Sequence, residues 1–276
     1  MDIYCVMGNP IAHSRSPWIH TRFAQLTGQA LVYVKHEIAL VGFAQALQAF
    51  EAGGGRGCNI TVPFKFEAAA LVDSQTERAA LAQAANTLSF VDGKIHADNT
   101  DGAGLVADIQ TNLGLSLQGL HVLLLGAGGA AAGVLGPLLQ AGPACVVVSN
   151  RSRARAEALV ERHTALALLS NTKLLEQDLK GLEGDFDVIV NATAASLAGD
   201  TIALPPHAIK PGALAYDMMY GPAAQGFLGW AQAHGAQTRD GLGMLVEQAA
   251  TAFEIWRGVK PPAERVLREL RSLMNG

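Results

Sequence analysis

Apolar positions along the chain come in short runs broken by turn-forming residues, and the runs alternate between two periods. "IYCVM" (3–7) is continuously apolar and stops at Gly8-Asn9-Pro10, which predicts a strand running into a turn. "SPWIHTRFAQL" follows with Ile19, Phe23 and Leu26 on one helical face; Ser16 is expected at the N-cap and Pro17 in the first turn. "ALVYVKHEI" has strand character, and Phe43, Leu47 and Phe50 mark a second helix that the run Gly53-Gly54-Gly55 stops. "CNITV" (58–62) predicts another strand, closed by Pro63, with a helix from about Lys65 to Leu71. "NTLSFVDGKIHADNT" predicts a β-hairpin turning at Asp92-Gly93, a dipeptide suited to a two-residue turn. Strand and helix thus alternate through the first part of the chain, the pattern of an α/β domain with its own core.

"DGAGLVADIQTNLGL" predicts a connecting helix with Val106, Ile109 and Leu113 in phase. "HVLLLGAGGAAAGVLGPLLQAGPACVVVSNRS" then reads as strand, tight turn, helix, strand. "DVIVNAT" (187–193) and "ALAYDMMY" (213–220) are apolar without alternation, as buried parallel strands are. From Gly243 onward two helices are expected. One carries Leu245, Ala249, Ala252, Phe253 and Trp256; the other, after the Pro261-Pro262 break, carries Val266, Leu270 and Leu273.

Composition narrows the class. Of the 276 residues 50% are hydrophobic and 16% charged, which is globular rather than disordered. A formal net charge of −4 gives no reason to expect a nucleic-acid partner or an anionic membrane surface. Leu120 to Val148 lacks Asp, Glu, Lys and Arg, but its glycines and prolines suit a buried strand–turn–helix–strand better than a membrane span. Cys5, Cys58 and Cys145 lie far apart in apolar stretches, as free thiols in a reducing compartment would. The histidines show no metal-ligand spacing, and the N-terminus lacks the pattern of a signal peptide, so a cytoplasmic protein without a metal is expected.

Gly126-Ala127-Gly128-Gly129-Ala130-Ala131 fits G-x-G-x-x-A between a strand and a helix. The first glycine permits the tight turn, the second lets backbone approach a pyrophosphate, and the small third position lets helix and strand pack closely. Helix-start N–H groups and the helix dipole then favour the anion. An NAD site would place an acid at the end of the second strand; here stand Asn150-Arg151-Ser152-Arg153-Ala154-Arg155, with no acid before Glu157. Arginines and a hydroxyl there suit the 2′-phosphate of NADP.

Chemical residues cluster earlier in the chain. "HSRSP" offers Ser14 and Ser16, "NITVPFK" offers Thr61 and Lys65, and "NT…DNTDG" offers Asn86, Asp98, Asn99 and Asp101. Each has a plainer reading: Ser16 as an N-cap, Asn99-Thr100-Asp101 as a helix cap, Lys65 as one of seven lysines on a surface.

"GNPIAHSRSP", "NITVPFK", "ALAQAANTL", "DNTDG", "GAGGA", "NRS..R", "NAT", "YDMMY" and "DGLGMLVEQAA" occur in this order, and together they resemble the shikimate dehydrogenase family from about residue 4 to residue 258. The resemblance implies an α/β fold of two domains. Residues 1–102 with 241–276 would form the substrate domain, and 103–240 a Rossmann-like, doubly wound NADP domain, with the C-terminal helices returning to the first. It implies NADPH-dependent reduction of 3-dehydroshikimate to shikimate. Lys65 and Asp101 match the catalytic pair. Ser14, Ser16, Thr61, Asn86, Asp101, Tyr220 and Gln248 match the positions that hold substrate hydroxyls and carboxylate. Gly126, Ala127, Gly128, Gly129, Ala130, Asn150, Arg151, Ser152, Arg155, Thr193, Met218 and Gly241 match the cofactor site. Met244 would lie near the nicotinamide, and Glu77 matches a position sometimes given a cofactor contact. A homodimer is the candidate assembly.

Three departures stand out: Ala131-Ala132 where the family often has Ser-Arg, Ser152 where Thr is usual, and "NATAAS" (191–196) for "NATSSG". The first would remove a phosphate contact. Three other readings compete. An NAD-linked quinate/shikimate dehydrogenase would carry an acid after the second strand. A non-catalytic metabolite sensor could dispense with Lys65 or Asp101. An amino-acid or methylenetetrahydrofolate dehydrogenase of similar layout would lack "HSRSP" and "DNTDG".

Overall fold

The structure, a computed structural model, describes residues 1–193 and 204–275. The chain divides into two compact units, Met1–Gly104 with Leu245–Gly276, and Leu105–Met244. In chain order the first elements are β1 (Asp2–Gly8), α1 (Ser16–Thr27), β2 (Leu31–Glu37), α2 (Phe43–Ala52), β3 (Gly55–Ile60), α3 (Lys65–Ala70), β4 (Ser74–Gln75), α4 (Glu77–Ala82), β5 (Thr87–Val91) and β6 (Lys94–Asp98). α5 (Asp101–Ala107) continues into a π turn at Asp108–Asn112. There follow β7 (His121–Leu125), α6 (Gly129–Gln140), β8 (Cys145–Ser149), α7 (Arg153–Leu169), β9 (Lys173–Glu176), β10 (Phe186–Asn191), β11 (Ile209–Asp217), α8 (Gln225–Ala233) and β12 (Gln237–Arg239). α9 (Leu242–Arg257) and α10 (Ala263–Asn275) close the chain.

The first unit holds a six-stranded sheet in the order β2-β1-β3-β5-β6-β4. β1 pairs parallel with β2 and β3, while β3-β5 and β5-β6 are antiparallel. β1 reads as a continuous apolar run because both its faces are covered. Cys5 and Met7 pack with Phe43, Leu47 and Phe64; Tyr4 and Val6 pack with Ile11 and Tyr33. The hairpin β5-β6 turns where expected, with Asp92 and Gly93 both at positive φ (51° and 69°).

The second unit holds an all-parallel sheet in the order β12-β11-β10-β7-β8-β9. Counted from β7, this is the doubly wound order 3-2-1-4-5-6. β7 and β10 are therefore neighbours that lead away to opposite halves of the sheet, and a crevice forms beyond their carboxyl ends. Leu123, Leu125, Ile189, Ala215 and Phe227 fill one side of this sheet. Each such buried aliphatic side chain contributes about 1.5–3 kcal/mol by leaving water.

Four expectations shift. Ser16 is the first residue of α1, not its cap; Arg15 holds the cap position, and the Ser16 N–H donates to Ser14 Oγ at 3.3 Å. The strand at 58–62 ends at Ile60, where the chain turns with Phe64 N–H bonded to Thr61 O at 3.0 Å. In the connecting helix the π turn inserts a residue into the helical phase. Leu105 and Ile109 are buried, whereas Leu113 is 37% exposed. On α10 the core side is Val266, Leu267 and Leu270, and Leu273 faces water. Among the described residues no helix is long and apolar enough to cross a membrane.

His20 on α1 is wholly buried, stacked on Tyr33 with ring centroids 4.2 Å apart. Burial pulls its pKa from 6.5 down to about 3, against a smaller opposing effect of Asn59. Below 6.5 the unfolded chain binds a proton that the folded chain refuses, so this group makes stability fall as pH drops from 6.5 towards 3. His20→Phe is expected to flatten the loss of urea resistance between neutral and mildly acid pH. An identical slope in variant and wild type would refute this.

Candidate active site

In the first unit, the carboxyl ends of β1 and β3 lie side by side and launch the segments carrying Ser14, Ser16, Thr61 and Lys65. Two backbone bonds join those segments, Thr61 N–H to Met7 O and Asn9 N–H to Val62 O, each 2.9 Å. Gly8 sits so close to this junction that a Cβ there would press into the Thr61 side chain. Lys65 opens α3 and Asp101 opens α5. Their side chains form an ion pair with little solvent, 12% and 6% exposed. Lys65 O also accepts from Ala85 N–H at 2.9 Å, fixing the lysine backbone beside Asn86.

Asn86 organises what surrounds this pair. It is 2% exposed, and its Nδ2 donates to Asp101 Oδ1 (2.8 Å), Thr100 Oγ1 (3.0 Å) and Gln248 Oε1 (3.2 Å). Its Oδ1 accepts from Thr100 N–H (2.8 Å) and Thr87 Oγ1 (2.9 Å). Asp101 therefore keeps one oxygen for Asn86 and the other for Lys65, and its backbone N–H is held by Asn99 Oδ1 at 3.2 Å. The network runs on: Asn59 Nδ2 donates to Asn86 O and Thr87 Oγ1, both at 3.1 Å, and Tyr33 OH donates to Asn59 Oδ1 at 2.7 Å. Burial lifts the Tyr33 phenol well above its usual range, and the Ser16 side chain stands against the same oxygen. Chemical groups from β2, β3, β5, α1, α3, α5 and α9 thus share one buried polar chain. A second clamp steadies its border: burial opposes the charge of Asp98, but Arg78 (2.6 and 2.8 Å) and Thr76 (2.7 Å) outweigh it and hold the carboxyl below its ordinary range.

In the second unit, Gly126 follows β7 with φ +112°, a conformation that a side chain would strain. A Cβ there would also come within 3.1 Å of Ala192 O, just past β10. Gly128 is the residue before α6; nothing stands within 4 Å of where its Cβ would be, and no side chain caps the helix. The first N–H groups of α6 are thus open to an anion. Ala127 is buried, Gly129 and Ala130 are half-buried, and Ala131 and Ala132 are wholly buried inside α6. After β8, Asn150 Nδ2 bonds Ser152 O at 2.9 Å and Ser152 stands at the start of α7. Arg153 is taken by Glu157 (3.0 Å) and Glu176 (3.4 Å). Arg151 and Arg155 are exposed and have no ion pair among the described residues. No carboxylate occupies the first turn of α7. These features fit NADP: a glycine turn for the pyrophosphate and two uncommitted guanidiniums for the 2′-phosphate.

The far side of the same crevice is tied together by Asn191. Its Oδ1 accepts from Thr193 N–H (3.1 Å) and Oγ1 (2.8 Å), and its Nδ2 donates to Asp217 at 2.9 Å. Met218 N–H bonds Asn191 O at 3.0 Å and Gly241 N–H bonds Met219 O at 2.8 Å. A Cβ at Gly241 would overlap the Met218 backbone. Thr193, Met218 and Gly241 are thereby brought into one assembly. Ala194–Ser196 of "NATAAS" lie outside the described residues.

Two residues belong to a different unit from their expected partners. Tyr220 precedes a short turn in the second unit, whereas the other substrate candidates belong to the first. Glu77 is an exposed residue at the start of α4 in the first unit, whereas the other cofactor candidates belong to the second. Sequence reading missed Tyr33, Asn59, Thr87 and Arg78. Asn59 alone left a signal, a polar residue inside an apolar strand.

Comparison with known proteins agrees along the chain. Residues 6–88 match the model described as the shikimate dehydrogenase substrate binding domain, 107–200 that of shikimate/quinate 5-dehydrogenase, and 241–271 that of the shikimate 5′-dehydrogenase C-terminal domain. A protein of Acidovorax sp. strain JS42 named shikimate dehydrogenase (NADP(+)) is 65% identical over 98% of this chain and 96% of its own. The crystal structure of an Ael1 enzyme from Pseudomonas putida is 47% identical with a TM-score of 0.86, covering 98% of both chains. Shikimate 5-dehydrogenase from Thermus thermophilus, solved in complex with NADP(H) and shikimate, is 31% identical with a TM-score of 0.85 over 99% of both.

Asn86→Leu would strand Asp101 Oδ1 and the Thr100 N–H without partners. It is expected to lower the unfolding free energy by about 2–4 kcal/mol, since each orphaned buried polar group costs about 1–3 kcal/mol. Equilibrium urea unfolding measures it, and a loss below about 0.5 kcal/mol, the size of an ordinary surface substitution, would contradict that cost.

Proposed function

Because the chain belongs to the shikimate dehydrogenase family, we propose that it catalyses the reversible NADPH-dependent reduction of 3-dehydroshikimate to shikimate, a step towards aromatic amino acids. The observation that carries this reading is the buried Lys65–Asp101 pair set in the Asn86 network. The unit of residues 1–104 and 245–276 would take the substrate, and the unit of 105–244 would take NADP.

Bound NADPH supplies the hydride that adds to the carbonyl carbon. The protein supplies the rest. Lys65 gives an ammonium proton to the carbonyl oxygen during reduction and takes it back from the hydroxyl during oxidation. Asp101 aims that ammonium and balances its charge. Ser14 and Ser16 offer hydroxyl donors to the substrate carboxylate, and Ser16 does not cap α1. Thr61, Asn86, Gln248 and Tyr220 are assigned the substrate hydroxyls on the strength of the family resemblance. The glycine turn 126–130 would face the pyrophosphate, and Asn150, Arg151, Ser152 and Arg155 the adenosine 2′-phosphate. Thr193, Met218, Gly241 and Met244 would line the nicotinamide end, with Glu77 assigned to the cofactor by resemblance alone. Ala131 and Ala132, being buried, would contribute packing and no phosphate contact. The reading carries a cytoplasmic enzyme with a small-molecule partner, neither nucleic acid nor membrane, and a homodimer as the assembly to test.

The deciding assay pairs shikimate and quinate with NADP and NAD, following reduced-nicotinamide absorbance. Turnover confined to shikimate with NADP is expected; equal rates with quinate or NAD would move the chain to broader-specificity relatives. Lys65→Ala is expected to lower kcat by about 10²–10⁴-fold, the usual worth of a positioned proton donor. Arg151→Ala and Arg155→Ala should each raise KM for NADP roughly tenfold or more, as loss of a charged hydrogen bond of about 1.5–3 kcal/mol requires. No turnover in any combination, with NADP still bound, would leave a sensor instead of an enzyme.

A further inference from the structure

Asp108 is a buried acid that the chemistry above leaves unused. It is 0% exposed and starts the π turn, where Leu113 N–H reaches back to Asp108 O at 3.0 Å. Its carboxylate is fully engaged. Arg239 bonds both oxygens, Nε to Oδ2 at 3.1 Å and Nη2 to Oδ1 at 2.8 Å. Tyr216 OH donates to Oδ2 at 2.8 Å, and Asn112 Nδ2 to Oδ1 at 2.9 Å. With its proton given to Asp108, the Tyr216 oxygen is free to accept, and the Met244 N–H donates to it at 3.3 Å. Met244 lies in the first turn of α9, where an N–H has no acceptor within the helix. Gly243 closes over the same carboxylate so tightly that a Cβ would overlap it.

We propose that Asp108, acting through Tyr216 and Arg239, is a positioning residue that fixes the 239–244 turn and thereby the seat of the nicotinamide ring. The proposal rests on the reading that Gly241 and Met244 meet that ring. Stability alone does not explain the cluster. Apolar side chains of similar volume commonly serve a core as well as a buried ion pair does. What the cluster adds is direction: each bond points one way, and together they admit one height for the turn. Hydride transfer needs that precision, because reacting atoms must sit about 3–3.5 Å apart and a 1 Å error can cost roughly a hundredfold in rate.

Tyr216→Phe tests this by deleting one oxygen while sparing the Arg239–Asp108 fork. In the free protein, the Met244 amide is expected to exchange with deuterium at least about tenfold faster than in wild type. In the assay, kcat should fall about tenfold while KM for shikimate and for NADP stay within about twofold, because only the reacting end of the cofactor is displaced. Gly243→Ala, which pushes the same turn from the carboxylate side, should give the same split if Tyr216→Phe proves too unstable to assay. Unchanged Met244 exchange, or faster exchange with unchanged kcat, overturns the proposal. So does a loss in which kcat and both KM values move together with the melting temperature. A wild-type chain that does not turn over shikimate fails the functional reading instead, and the exchange measurement still reports whether Tyr216 clamps the turn.

Discussion

The side-chain amide of Asn86 must satisfy two donor hydrogens and an oxygen while almost wholly cut off from water. It does so by binding groups from three stretches of chain far apart in sequence: Thr87 beside it, Thr100 and Asp101 at the head of α5, and Gln248 on α9. An unmet polar group in that position would cost about 1–3 kcal/mol. The demand therefore fixes where α5 starts, and so where the Asp101 carboxylate points. Lys65 is fixed from its own side by the Ala85 N–H on its carbonyl. Lys65 and Asp101 meet because satisfying one amide leaves their backbones little alternative.

The second unit obeys a different constraint. Its sheet is parallel and covered on both faces, so ligand-binding groups can only gather beyond the strand ends. Reversal of strand order at β7 and β10 decides which ends. Gly126 passes Ala192 there with no room for a side chain, and Gly128 opens α6 to an anion. One strand over, Glu157 and Glu176 neutralise Arg153, and Arg151 and Arg155 have no ion pair among the described residues. Two of the three arginines in that run are thus the ones proposed to meet the 2′-phosphate.

What the sequence revealed follows from range. Apolar runs, the glycine turn and the Asp92-Gly93 hairpin are local signals, and each marks the element it belongs to. Polar motifs such as "NITVPFK" and "DNTDG" marked the paired catalytic candidates because both end strands or open helices. Features made by distant pairing left no such trace. Asp108 meets Tyr216 and Arg239 across more than a hundred residues, and the π turn that seats it also spoiled the helical phase expected at Leu113. β4, β9 and β12 are too short to show an apolar run. Ser16 read as a cap because Ser-Pro usually is one; here Arg15 takes the cap position and the Ser16 side chain stands against Tyr33.

On the proposed mechanism Lys65 and Asp101 act as one unit rather than as two separate contributors. A double-mutant cycle on kcat tests it, with Lys65→Met, Asp101→Asn and both together in the shikimate–NADP assay. Strong non-additivity is expected: the double variant is no slower than the worse single one, since either change already removes the aimed proton donor. If the two losses instead multiply, each residue contributes independently, and the paired mechanism is wrong.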